Sequence, residues 1–167
     1  MNSNMTPVDW AKRPLQKYAD FSGRAPRAEY WWYVLALIVS YIVLSIIESI
    51  LGINRMIAGA YGPLTALLWL GTLVPSIAAG VRRLHDTNRS GWWILLPVVP
   101  YCLAFALGGA AMMTGGLGAG LGTAGIFLLI GFVCAIVLLV FYCLPGTPGD
   151  NRYGPNPYGS QGTPAAV

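Results

Sequence analysis

A chain of 167 residues is one domain's worth of protein. Charged residues make up 10%, against about 25% in soluble globular domains, and the 56% that are hydrophobic fall in runs too long for so small a core to bury. A soluble enzyme or binding domain is thereby excluded, and the class is an all-α, polytopic membrane protein. The net charge of +4 is what basic loops on one side of a bilayer give, and nucleic acid is not an expected partner.

Residues 1–29 form the N-terminal segment and lack the apolar run of a cleaved signal peptide. Thr6-Pro7-Val8-Asp9 supplies an N-cap, a proline at the first helical position and an acid at the third, so a short helix is expected there. Pro14 is expected to break or restart it. Trp10, Leu15, Tyr18 and Phe21 alternate with Lys12, Arg13, Lys17 and Asp20, which suits either a segment on an anionic membrane surface or a solvated arm.

The transmembrane domain is placed at 30–144 as four spans. The first runs from about Tyr30 to Leu51, about 22 residues or about 33 Å, with its helix starting near Pro26. Glu48, near its far end, is expected to snorkel or to meet Arg55. The second span covers about Gly62 to Val81 and carries Pro75, which removes one helical hydrogen bond and is expected to kink the helix; neighbouring helices can satisfy the freed carbonyl. The third runs from Trp92 to about Ala111 and starts irregularly because of Pro97 and Pro100.

Between the third and fourth spans, Gly115 to Gly125 reads as a flexible, uncharged turn. Its literal G-x-G-x-x-G match (Gly120, Gly122, Gly125) lacks the strand that a dinucleotide site needs. The fourth span runs from about Ala124 to Leu144, with Gly131 and Ala135 spaced to admit a neighbouring helix. Cys102, Cys134 and Cys143 all lie in apolar runs without C-x-x-C spacing and read as small buried hydrophobes. The tail, 145–167, has five prolines and five glycines, so little regular structure is expected, and disorder from Tyr158 on.

With four spans, both termini share a side with the loop from Arg82 to Gly91. That side holds Lys12, Arg13, Lys17, Arg24, Arg27, Arg82, Arg83, Arg89 and Arg152, all the basic residues except Arg55. Both termini are therefore expected to be cytoplasmic, with Trp31, Trp32, Trp92, Trp93 and Tyr142 at the cytoplasmic interface.

Three polar segments meet at that face: Phe21-Ser22-Gly23-Arg24-Ala25-Pro26-Arg27-Ala28-Glu29-Tyr30-Trp31-Trp32, the loop from Arg82 to Trp93, and Pro145 to Pro157. At these residues the chain resembles the bacterial inner-membrane family catalogued as domain of unknown function 805. That family's features are an F-x-G-R-x-x-R-x-E-Y-W opening of the first span, an R-R-L-H-D-x-x-x-S-G-W-W loop and a proline-glycine-rich exit with N-x-[YF]-G. The resemblance covers about Lys17 to Pro157. It implies a small multi-pass protein of the bacterial inner (plasma) membrane and supplies no activity.

Arg24, Arg27, Arg82, Arg83 and Arg89 are more cations than orientation requires. With His85 and Asp86 they are candidates for binding an anionic phospholipid headgroup or another phosphorylated ligand, because planar guanidinium groups match such anions. The competing reading has them pair with Glu29, Asp86 and Asp150 and cap helix C-termini, locking the three segments together, with Asn151 and Arg152 in the same structural role. One histidine cannot build a metal centre, and Ser22 or Ser90 with His85 and Asp86 lacks a nucleophile elbow. No catalytic residue, metal or cofactor is therefore expected.

The favoured function is non-enzymatic: a membrane protein whose arginine-rich face binds anionic lipid or a partner in envelope upkeep. The alternative is a small transporter or membrane-embedded enzyme. Against transport, the central parts of the spans offer only Ser40, Ser45, Thr65, Thr72 and Ser76, although a homo-oligomer could build a path between protomers.

Overall fold

The structure is a computed structural model that describes residues 5–54, 61–114 and 117–157. These residues form α1 (Pro7–Gln16), α2 (Arg27–Ile50), α3 (Pro63–Asp86), a 3-10 turn (Gly91–Leu95), α4 (Val98–Thr114) and α5 (Leu117–Cys143), and no β-strand. Segments 27–50, 63–86, 91–113 and 120–143 are long and apolar enough to cross a membrane. The helices of the second and fourth spans, α3 and α5, extend beyond the expected bounds because a helix need not end where its apolar run ends.

Thr6 caps α1 as its sequence requires: its hydroxyl accepts from Asp9 N at 3.3 Å, and the Asp9 carboxylate accepts from Thr6 N at 2.9 Å. Pro14 does not break α1, which continues to Gln16. So near the C-terminal end the missing N–H costs a single bond, and the buried ring packs instead. Nor is α1 a free arm, since it lies against α2 and also touches α3.

Pro75 sits inside α3, which runs through it. The carbonyl that its missing N–H leaves free is Gly71 O, and the Tyr18 hydroxyl donates to it at 2.8 Å. Pro97 falls at the break between the 3-10 turn and α4, while Pro100 lies in α4's first turn, where no helical donor is needed.

The glycine-rich stretch is mostly helix rather than a flexible turn, because α5 starts at Leu117; Gly115 and Gly116 lie outside the described residues. Gly120 of this stretch, and Gly131 further along α5, serve close packing of α4 on α5. A Cβ at Gly120 would overlap that of Ala111, and one at Gly131 would lie 2.9 Å from the Tyr101 ring. The cysteines are not buried in the fold: Cys102 and Cys143 are exposed and Cys134 is half-buried, all three unpaired. Small apolar side chains serve equally well against lipid.

Glu48 neither snorkels nor reaches solvent. It is buried, and it accepts from Thr65 N at 2.9 Å and Thr65 Oγ1 at 2.6 Å, closing the N-terminus of α3. Arg55, its expected partner, lies outside the described residues, as does the tail from Tyr158.

The α2–α3 pair and the α4–α5 pair meet mainly at one end. There Leu84, Leu138 and Tyr142 form a buried cluster flanked by Tyr30, Trp31, Ile94 and Phe141. Tyr142 is thus buried in the fold, its ring 4.5 Å from that of Tyr30. This end carries the candidate site.

Candidate functional site

The C-terminal turn of α3 positions the site. Arg89 N bonds Leu84 O at 2.9 Å and Asn88 N bonds His85 O at 3.0 Å, with Asn88 in the left-handed region at φ 58°. This paired closure stops the helix and turns the chain towards Ser90. Successive residues 82, 83, 85 and 86 thus point to different sides of the helix, and each meets a different segment.

Arg82 is fully buried and faces the N-terminal segment. It donates to Glu29 Oε1 at 3.0 Å, to Lys17 O at 3.3 Å and to Asp20 O. Arg13 Nε lies 3.4 Å from the other Glu29 oxygen, and Arg82 O accepts from Ala25 N at 3.0 Å. Glu29 sits in the first turn of α2, where the helix dipole favours an acid. The Ser22 hydroxyl and N–H hold Asp20 well below the usual carboxylate range, at about 2.

Arg83, also fully buried, faces α5. It donates to Tyr142 O at 3.1 Å and to Leu144 O, taking up carbonyls at that helix's C-terminus, and to Asp86. Asp86 is shared. Its Oδ1 accepts from Arg24 Nε at 3.0 Å, and a Cβ at Gly146 would overlap its carboxylate. Arg24 then reaches the tail, donating to Thr147 O and Gly149 O, each at 2.7 Å.

Backbone and amide bonds complete the junction. Thr147 N donates to Asp86 O at 2.8 Å, and Asn151 Nδ2 donates to His85 O at 3.0 Å. Residues 145–157, expected to be irregular, are irregular yet fixed, with one isolated bridge between Asn151 and Gly154.

The remaining candidates stand apart from this network. Arg89 meets no carboxylate among the described residues; it lies over the Phe141 ring at 4.1 Å and donates to Thr87 O at 3.3 Å. Asp150 accepts from Asn156 N at 2.9 Å and pairs with no arginine among the described residues. Arg152 donates to Asn88 O and covers the Tyr153 ring at 4.7 Å. His85 Nδ1 lies 3.2 Å from Gly23 O, and its ring stacks on Tyr153 at 3.8 Å. Arg27 is exposed and has no ion pair among the described residues.

Arg24, Arg27, Asp86, Pro145, Gly146 and Thr147 contribute to a cleft of about 320 Å³. The junction as a whole holds three buried guanidinium groups (Arg24, Arg82, Arg83) against two buried carboxylates (Glu29, Asp86), and of these Arg24 and Asp86 line the cleft. Each terminal nitrogen of Arg24 makes one bond and keeps a second N–H. Among the described residues no cluster of His, Cys, Asp or Glu could hold a metal ion.

Sequence reasoning missed Tyr18, Tyr153 and the carbonyls of Thr147 and Gly149. Tyr18 was signalled by Pro75, which guarantees a carbonyl in need of a donor. The others left no signal, because backbone acceptors carry no side-chain signature.

A sequence model of the family described as "Protein of unknown function (DUF805)" matches residues 18–155. Inner membrane protein YhaH of Escherichia coli (strain K12) is 35% identical over 150 residues, covering 90% of this chain and 97% of the relative. Inner membrane protein YhaI of the same strain is 36% identical over 151 residues, covering 90% and 96%. The uncharacterized protein YiiR of that strain is 31% identical over 135 residues, covering 80% and 83%. No solved structure matches.

Proposed function

From the premise that the chain belongs to the DUF805 family of multi-pass inner-membrane proteins, we propose that it is a non-catalytic protein whose cytoplasmic face binds anionic phospholipid. One observation carries this reading. Arg27 is an exposed guanidinium at the wall of a cleft whose one lining carboxylate, Asp86, is already shared by the buried Arg24 and Arg83.

Helix electrostatics do not explain Arg27. It occupies the first position of α2, where the dipole disfavours a cation by about 0.3–1 kcal/mol. Arg82 and Arg83 serve inward, on Glu29, Asp86 and carbonyl groups, so they are clasps first and ligand groups only through the charge they add. Arg24 does both: it ties the tail to α3 and keeps N–H donors at the cleft wall. Guanidinium groups at this depth suit a phosphate, and each basic residue near an anionic surface contributes about 1 kcal/mol.

Placing this face in the cytoplasm rests on the nine-to-one distribution of lysine and arginine. A contribution to envelope upkeep follows as the setting in which such binding would act. The test is the lipid that copurifies from native membranes. Arg27→Ala, which breaks no bond among the described residues, is expected to insert and accumulate normally yet lose most of the associated acidic phospholipid. Unchanged acidic lipid on that variant would overturn the assignment.

A further inference from the structure

A second cavity opens on the other side of α3's last turn, independent of the arginine cleft. It has a volume of about 430 Å³ and is walled by Phe21, Val81, Trp92, Ile94, Leu95 and Tyr153, with His85 and Ser90 as its polar side chains. That size and lining, mostly apolar and aromatic with a few convergent polar groups, is typical of a small-ligand site.

The hydrogen bonding of His85 defines what it can recognise. Nδ1 faces Gly23 O at 3.2 Å, and a carbonyl only accepts, so Nδ1 carries the hydrogen. In the neutral ring Nε2 is then an acceptor. It has no partner among the described residues, and the only buried side-chain N or O without one there is Arg82 Nε, so Nε2 is open to an incoming group. Tyr153, stacked on the imidazole at 3.8 Å and 3° between planes, fixes the ring's orientation.

The occupant must therefore offer a hydrogen. An ammonium head is disfavoured, because Arg152 already lies 4.7 Å from the centre of the Tyr153 ring. A phosphate head brings acceptors to an acceptor. A neutral hydroxyl on an apolar body satisfies both conditions. Trp92 opens the third span and is 78% exposed, which gives such a molecule access from the lipid phase. The geometry points to a binding site for the hydroxyl head of a membrane-dissolved amphiphile, with His85 Nε2 as acceptor and Phe21, Trp92 and Tyr153 as walls.

Such a head could come from a hydroquinone or from a diacylglycerol, and one experiment separates them. His85 is the only histidine in the chain, so imidazole nitrogen-15 NMR of the full-length protein in micelles gives a single, assigned reporter. A decyl-substituted hydroquinone and dioctanoylglycerol are titrated separately, each beside its hydroxyl-capped ether. The expected result is a saturable Nε2 shift from one of the two that its capped form does not produce; which one responds identifies the source. Trp92→Ala should weaken that binding about tenfold, the effect of an aromatic wall, while leaving the free His85 signal in place. Equal responses to capped and free probes, no saturable shift from either, a hydrogen found on Nε2 instead of Nδ1, or full affinity in Trp92→Ala would each overturn the proposal.

Discussion

Tyr18→Phe removes one oxygen and, with it, the donor to Gly71 O. That carbonyl lies about 12 Å along α3 from Pro63 at about 1.5 Å per residue, well inside the apolar span. Pro75 has no N–H to offer it, so the 2.8 Å bond from Tyr18 is its replacement partner. Water is scarce at that depth, and an unsatisfied carbonyl costs about 1–3 kcal/mol. Tyr18→Phe should therefore lower stability by about that amount in reversible unfolding by denaturing detergent in mixed micelles. Pro75→Ala restores the helical N–H to Gly71 O, so in that background the same substitution should cost under about 0.5 kcal/mol. An equal loss in both backgrounds would refute the reasoning, since the hydroxyl would then matter for some other contact.

Three further outcomes follow from the geometry. Arg82→Ala leaves the buried Glu29 carboxylate with Arg13 alone and should cost about 3–5 kcal/mol in the same unfolding assay, whereas Arg82→Met with Glu29→Leu should recover most of that loss. Gly120→Val should cost about 1–3 kcal/mol by forcing α4 and α5 apart, with Ala111→Gly restoring much of it. In a background lacking the three native cysteines, an impermeant thiol reagent applied to intact cells should label a cysteine at position 118 and spare one at position 88; the reverse pattern would invert the proposed orientation.

Much of the fold was legible because membrane spans announce themselves by length and apolarity, and because Thr6 and Asp9 form a self-contained cap. The irregular start of the third span followed from Pro97. What the sequence hid depends on neighbours. A glycine run reads as a turn unless Ala111 is known to pack on it, and Pro14 reads as a breaker until its place near a helix end is known. Glu48 looked like a residue seeking the interface because nothing local shows that Thr65 will be folded back onto it. The meeting of the three polar segments at one face was legible from span number and charge. The division of labour among the arginines was not. Arg82 and Arg83 are adjacent and chemically identical, and only the helical rotation between them sends one to Glu29 and the other to the end of α5.

The central claim is that the arginine face prefers anionic phospholipid and that Arg27 is the accessible part of that preference. Delipidated protein titrated with phosphatidylglycerol or phosphatidylcholine, with bound lipid counted by native mass spectrometry, tests it directly. The account predicts tighter binding of phosphatidylglycerol at low salt, weakening as ionic strength rises, and a preference reduced about fivefold in Arg27→Ala, the equivalent of about 1 kcal/mol. Equal affinity for the two lipids, or a preference that Arg27→Ala leaves intact, would contradict it.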